Sequence, residues 1–259
     1  MYDLLAGDYH VIAGDTPWDE TVREHASLLQ RLLTEEFGIA PPADILDCSC
    51  GIGTQAIGLA LLGYRVVASD ISPKSIDRAV HEAKRVGAAV RFRVADFRQL
   101  QIIEGDFDAV LSWENAIAYV PDTDALFQVF DSMRSKLRDG GRILVSTRDY
   151  GRLLTNNCPS STPPSVYRDE SGECVYFQLW NWSEDKTTYV QRIFLLHGTA
   201  DGDGEPIHWR TQMYRSKMRA FVRAEILSAL DRAGFDDIRW FTPDSITYGM
   251  LAFSARRAR

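Results

Sequence analysis

From residue 18 onward, segments with apolar positions every three or four residues alternate with short continuous apolar runs. The first periodic segment, 18–37, carries Val22, Leu28, Leu29, Leu32, Leu33 and Phe37 at helical spacing and is closed by Gly38 and Pro41-Pro42, which predicts a helix. Ile45-Leu46 follows as a short buried strand, Gly53 to Leu62 as a helix stopped by Gly63, and Arg65–Ser69 as a second strand. Pro73 stands where a helix favours it, and that helix runs to Val86 before Gly87. Val90–Val94 and Phe107–Leu111 predict strands three and four. A helix covers 123–138, and Asp139-Gly140-Gly141 turns the chain into a fifth strand, Arg142–Thr147. Strands alternating with helices build a parallel sheet with helices on both faces.

After residue 150 the pattern changes. Thr155–Pro164 is rich in Pro, Ser, Thr and Asn and reads as a loop. Strand-like runs at Cys174–Trp182, Thr188–Leu196 and Ile207–Met213 follow, with turns supplied by Ser171-Gly172 and Asp201-Gly202-Asp203-Gly204. They predict an antiparallel insertion. A helix at 219–233 and a strand pair, Asp237–Phe241 and Tyr248–Ala255, then return to the core. The expected organisation is an N-terminal lid segment and helix (1–40), an α/β core (41–154), an antiparallel insertion over the pocket (155–218), and a C-terminal helix with a β pair (219–259).

Composition narrows the function. With 259 residues, 45% of them apolar and 25% charged, the chain can bury a full core without disulfides or metals. A net charge of −7, with Arg256-Arg257-Ala258-Arg259 as the one basic cluster, argues against nucleic-acid binding. No apolar stretch approaches the ~18 residues of a membrane span, and Met-Tyr-Asp-Leu-Leu, with no basic region before an apolar one, does not read as a signal peptide. Cys48, Cys50, Cys158 and Cys174 form no C-x-x-C pair, and no histidine stands at zinc-ligand spacing. The expectation is a cytoplasmic protein with reduced thiols and no metal, membrane or nucleic-acid partner.

The candidate chemistry gathers at three strand ends. Strand one ends in Asp47 and leads into Cys48-Ser49-Cys50-Gly51-Ile52-Gly53-Thr54. Gly51 and Gly53 free the backbone to turn tightly near a ligand, and the helix that starts there aims its unpaired N–H groups into the same space. Asp70, at the end of strand two before Ile71, is placed to accept hydrogen bonds from two ribose hydroxyls. Asp96, after strand three, can take the amine of adenine while Phe97 stacks on its ring. Gly51-x-Gly53-x-x-Ala56 also fits a dinucleotide fingerprint. Against NAD stand the early helix after Asp70-Ile71-Ser72 and a C-terminal helix and strand pair in place of a second nucleotide-binding half.

Segments 45–60, 66–79, 92–97, 107–120 and 141–150 together resemble the class I S-adenosylmethionine-dependent methyltransferases. The resemblance implies a doubly wound, mostly parallel seven-stranded Rossmann-like sheet and S-adenosylmethionine as cofactor. It carries over Asp47, Gly51 and Gly53 to the methionine part, Asp70 to the ribose, and Asp96 with Phe97 to the adenine. Thr54, Ile71, Trp113, Trp18 and Arg23 complete the expected cofactor site, with Arg23 directed at the methionine carboxylate. Within that class the chain is similar to the glycine and glycine/sarcosine N-methyltransferases. Ala13-Gly14-Asp15-Thr16 resembles their Ile-Gly-Asp-Thr, Asn115-Ala116-Ile117-Ala118 their Asn-Ser-Phe-Ala, and Arg148-Asp149-Tyr150 their Arg-Asn-Tyr. Two departures add acid: Glu114 stands where Gly is usual, and Asp149 where those enzymes have Asn. Added acid favours a more cationic acceptor than glycine.

Methyl transfer from a sulfonium needs an acceptor lone pair held in line, and positioning supplies most of the rate. An acceptor amine must be neutral when it attacks, and a carboxylate can orient it or relay its proton. Glu114, Asp149 and Tyr150 are the candidate catalytic residues. Tyr9, Asn115, Arg148, Trp182, Arg210, Tyr214 and Arg215 are candidate acceptor contacts, the arginines as carboxylate clamps. Trp180, Trp182 and Trp209 alternate with polar residues, so one face of the insertion is expected to pack on the sheet and the other to overhang the pocket. The expected activity is methylation of a small amine or amino acid by a monomer or homodimer. Small-molecule O-methylation is the alternative, and a cofactor-binding module without catalysis stands behind both.

Overall fold

A computed structural model describes Asp8 and residues 17–155, 158–169, 172–200, 206–242 and 250–258. In chain order the elements are α1 (Trp18–Arg31), β1 (Asp44–Asp47), α2 (Thr54–Leu61), β2 (Arg65–Asp70), α3 (Pro73–Val86), β3 (Val90–Val94), β4 (Phe107–Ser112), α4 (Thr123–Ser135), β5 (Leu137–Thr147) and α5 (Tyr150–Thr155). Then come β6 (Ser165–Asp169), β7 (Gly172–Trp182), β8 (Thr188–Ala200), β9 (Pro206–Arg219), α6 (Arg223–Arg232), β10 (Phe235–Phe241) and β11 (Leu251–Arg257).

Seven strands form one sheet in the order β10-β11-β5-β4-β1-β2-β3. Neighbours from β5 to β3 pair in parallel, and β11 runs antiparallel to both β5 and β10. Successive residues on a strand face opposite sides, and here both sides are apolar. Leu46, Val67, Val110, Ile143, Val145 and Phe253 face the layer of α4 and α6. Ile45, Val66, Ala68, Leu111, Leu144 and Ala252 face the layer of α1, α2 and α3. That is why strands one, two and four read as continuous apolar runs. Helices α1 and α2 pack very closely at Gly58. A Cβ there would lie 2.5 Å from the Ala26 Cβ and 2.8 Å from the Val22 carbonyl oxygen.

The order of β1, β2 and β4 places the carboxyl ends of three adjacent strands beside one another. β1 pairs with both β2 and β4. β1 leads into α2 on one face of the sheet and its neighbour β4 leads toward α4 on the other, which opens the crevice in which α/β sheets bind ligands.

Strands β6 to β9 form a second, antiparallel sheet. One face is apolar: Cys174, Ile193, Leu195 and Tyr214 cluster on it, and Trp180, Tyr189 and Met218 pack with Ala118 and Tyr150 of the core. Trp209 and Met213 stand exposed on the other face.

Several boundaries differ from expectation. The helix expected to reach 138 stops at Ser135, because Lys136 donates to the Ile103 carbonyl at 2.6 Å and Leu137 pairs with Phe107. Asp139-Gly140-Gly141 is thus an irregularity inside β5, with Gly140 at φ +78°, not a turn before it. The helix expected from 219 begins at Arg223, since β9 stays paired with β8 through Arg219 and the Glu225 carboxylate accepts from the Val222 amide at 3.0 Å. The first helix closes in a π turn over Leu32–Glu36. Strand β6 and the short helix α5 were not expected. The Asp201–Gly204 turn and Tyr248 lie outside the described residues. All four cysteines are free thiols, and among the described residues no helix is long and apolar enough to cross a membrane.

Candidate active site

A cavity of about 640 Å³ lies at the carboxyl end of the parallel sheet, between the β1–α2 loop and the antiparallel sheet above it. The loop is shaped by backbone demands. Gly51 and Gly53 sit at φ +53° and +93°, and a Cβ on Gly53 would come within 2.9 Å of Ile57 and 3.2 Å of Ala79. Left-handed backbone favours glycine, and the α3 packing leaves no room for a side chain.

Asp70 fixes this turn. One carboxylate oxygen accepts from the Gly51 amide at 2.9 Å and the other from the Ser72 amide at 2.9 Å. The carboxylate lines the cavity although Asp70 as a residue is buried. Asp47 lies beneath the loop, fully buried; Oδ1 accepts from the Ser49 amide at 3.2 Å, while Oδ2 has no hydrogen-bond partner. Burial pushes its carboxyl up to about 7, and the nearby Asp70 and Glu114 add to the rise against the Ser49 hydrogen bond. Asp96 and Phe97 line the cavity from the end of β3. Partial burial raises the Asp96 carboxyl, but hydrogen bonds from the Arg98 side chain and amide outweigh it and hold the group below the usual range.

The β4 end makes the opposite wall. Glu114 and Asn115 both adopt left-handed backbone, φ +54° and +64°. Their turn is tied to β5: the Glu114 amide donates to Ser146 Oγ at 2.7 Å and the Asn115 amide to the Ser146 carbonyl at 3.2 Å. The Glu114 side chain stays one-third exposed and receives a hydrogen bond from Gln55 Nε2 at 3.1 Å. The same Nε2 lies 2.8 Å from His25 Nδ1. Asn115 is buried; its Oδ1 accepts from Thr147 Oγ1 and the Arg148 amide, and its Nδ2 donates to Tyr150 OH at 3.0 Å. Arg148 reaches the cavity wall, donates to Tyr189 OH at 2.6 Å and lies 4.6 Å over the Trp180 ring.

Residues 45–141 match a family described as "Methyltransferase domain". Residues 45–141 form a methyltransferase domain. An uncharacterized protein of Mycobacterium tuberculosis is 30% identical over 195 residues, covering 74% of this chain and 63% of that protein. Human glycine N-methyltransferase is 28% identical over 160 residues, covering 56% of this chain and 50% of its own. The chain thus spans between half and two thirds of the length of these curated relatives. An amino pentose methyltransferase from Micromonospora echinaspora, solved with S-adenosylmethionine bound, shares the fold with a TM-score of 0.74 at 18% identity, over 94% of this chain and 92% of that one.

Of the residues expected at the cofactor part of the methyltransferase domain, Gly51, Thr54, Asp70, Ile71, Asp96, Phe97 and Trp113 line the cavity. Asp47 and Gly53 shape the loop from behind. Arg23 is exposed on α1 and not at the cavity, because the helix face that turns inward carries Thr21 and His25. Trp18 stands outside the cavity too, with the Arg85 guanidinium 5.4 Å over its ring.

The acceptor candidates divide similarly. Glu114, Asn115 and Arg148 line the cavity. Asp149 turns away: its carboxylate accepts from the Arg152 amide at 3.1 Å, capping α5, and lies 3.9 Å from Arg223. Tyr150 is fully buried behind the wall, bonded to Asn115 and 3.0 Å from Tyr189 OH. Trp182 donates to the Pro159 carbonyl at 2.9 Å and packs on Tyr189 outside the cavity. Tyr214 is buried in the second sheet and donates to Asp8 at 2.7 Å, while Arg210 and Arg215 are exposed on β9. Tyr9, His10 and Ala13–Thr16 lie outside the described residues. The expected split of the insertion into a packing face and an overhanging face is replaced by one face that does both.

Sequence reasoning missed His25, Gln55, Tyr176, Gln178 and Gln191, all of which line the cavity. Only His25 left a signal: it falls at helical spacing with the buried Val22, Ala26 and Leu29. The two glutamines of the second sheet are buried and bonded to each other at 2.5 Å.

Proposed function

We propose that this chain is an S-adenosylmethionine-dependent N-methyltransferase acting on a small acceptor that carries both an amine and a carboxylate. One observation carries the reading. The cavity wall presents Glu114 and Arg148 together, and among the described residues Arg148 has no carboxylate within ion-pair distance. A guanidinium walled by aromatic rings favours an anionic partner. A zwitterionic amino acid matches the pair, its carboxylate at Arg148 and its amine at Glu114.

The cavity floor suits the cofactor. Its charged groups beside the glycine turn are mainly carboxylates. Such a site favours a ligand with cationic groups. Bound there, S-adenosylmethionine supplies a methyl group already activated on a sulfonium. Asp70 accepts from the ribose hydroxyls while its amide bonds hold the turn. Asp96 and Phe97 take the adenine, and the amides opening α2 take the methionine carboxylate. Trp113 and Tyr119 exclude water beside the acceptor. Glu114 orients the amine, and Arg148 fixes the other end of the molecule so that the lone pair keeps one direction.

Release of S-adenosylhomocysteine against a panel of amino acids, simple amines and amino sugars tests the reading. Turnover should follow acceptors bearing both charges. Transfer to phenols or carboxylic acids alone would replace it with O-methylation. Buried amides favour one second reading: Gln178 and Gln191 at the cavity roof suit a hydroxyl-bearing acceptor such as an amino sugar.

A further inference from the structure

Behind Glu114 stands an arrangement that holding an amine does not require. Gln55 Nε2 has two hydrogens and no lone pair to offer. It bonds Glu114 Oε1 at 3.1 Å and His25 Nδ1 at 2.8 Å, and those two atoms lie 3.6 Å apart. Because an amide nitrogen only donates, His25 Nδ1 faces it as an acceptor. A buried imidazole with a lone pair is therefore held against the back of the carboxylate that meets the acceptor.

We propose that His25 is the proton acceptor behind Glu114, so that the amine sheds its proton along a Glu114-to-His25 path. The inference rests on the reading of Glu114 as the carboxylate that faces the amine. An alkyl amine with a pKa of ~10 enters largely as ammonium and must lose one proton to expose its lone pair. The N–H bond breaks, the pair stays on nitrogen, and the proton goes to a Glu114 oxygen. The Glu114 acid then gives that proton to His25 Nδ1. For that transfer the Gln55 hydrogen that faces Nδ1 swings away, while the second Gln55 hydrogen keeps its bond to Glu114. A neutral amine and an imidazolium–carboxylate pair result, with charge and protons balanced.

The surroundings match this task. Among the described residues, the charged groups facing His25 are Glu114 from the β4 corner and Glu24 from its own helix, while α2 presents the uncharged Gln55. Burial lowers the imidazole below its ordinary value and the two glutamates oppose that. His25 thus rests neutral near pH 7, and ionised Glu114 compensates the imidazolium once it forms. His25 acts through Glu114 and is a positioning and proton-holding residue, distinct from the groups that touch the reacting nitrogen.

Two variants separate this from a structural role. His25→Asn keeps an oxygen for the Gln55 hydrogen but cannot titrate, whereas His25→Leu loses both. For an amine acceptor, His25→Asn should lower kcat by about 10- to 100-fold, flatten the acidic limb of the pH–kcat profile, and leave S-adenosylhomocysteine affinity unchanged. Full wild-type kcat and pH profile in His25→Asn would overturn the proposal. A second readout needs no turnover. Histidine NMR on the protein without added ligand should show the His25 pKa falling in Glu114→Gln, and an identical titration in both proteins would overturn it. Failure of the wild type to methylate any amine would instead sink the functional reading, while the titration still reports the His25–Glu114 coupling.

Discussion

The two walls of the cavity are built differently. The floor is made by backbone: a glycine turn, the amides opening α2, and two aspartates at strand ends whose carboxylates are pinned by loop amides. The opposite wall is made by side chains from distant segments. Arg148 follows β5, Glu114 follows β4, His25 and Gln55 come from two helices, and Gln178 and Gln191 come from the second sheet. A backbone-built site suits a ligand common to many proteins. A side-chain-built site can be altered one residue at a time. Under the proposed assignment of the floor to the cofactor and the wall to the acceptor, the two functions are separable by mutation.

Arg148→Met is the largest expected effect. Loss of one partner of a buried charged contact costs about 2–5 kcal/mol, read as a rise in acceptor KM with S-adenosylhomocysteine affinity unchanged. An equal weakening of acceptor and S-adenosylhomocysteine binding would break the division between walls. Asp70→Ala should weaken S-adenosylhomocysteine binding by about 1.5–3 kcal/mol, as for hydrogen bonds to a charged group, with acceptor KM held. Calorimetric titration of that variant checks it.

Asp47 tests the floor through pH. Its carboxyl is raised to about 7 in the folded protein from an ordinary value of 3.8. Below pH 3.8 both states are protonated and the group costs nothing; as pH rises toward 7 the unfolded state ionises first and stability falls. Asp47→Asn should therefore match wild type near pH 4 and exceed it at pH 8 by on the order of 2 kcal/mol in thermal or denaturant unfolding. Equal curves at both pH values would mean the carboxyl is solvated in the cavity. The smallest effect is expected at Asp149: loss of the α5 cap should cost about 0.5–1 kcal/mol of stability, with kcat and KM close to wild type. A large kinetic defect there would move that residue back to the acceptor wall.

The sequence made the floor readable for the same reason that it is backbone-built. A strand, a glycine turn and an acid at the next strand end are consecutive in the chain, so their spacing is their geometry. The alternation that brings Leu46 and Ile45 to opposite faces likewise follows from period two alone. The opposite wall has no such local signature. Arg148 and Asp149 are neighbours, yet one reaches the cavity and the other caps a helix, because a short helix that the composition did not announce begins at Tyr150. Arg23 and His25 lie two positions apart on one helix, and the face that α1 packs decides which of them turns inward. The length of β9 could not be read either, since pairing with β8 carries it past the point where helical spacing resumes.

The corner at Glu114 has one more consequence. A side chain in left-handed backbone is disfavoured by roughly 1–2 kcal/mol, and a residue lacking a Cβ would relax there at once. Replacement of Glu114 by glycine should give a protein harder to melt and poorer at its task. Robustness and the proposed activity pull against each other at that one peptide, and a screen for heat resistance alone would discard the glutamate.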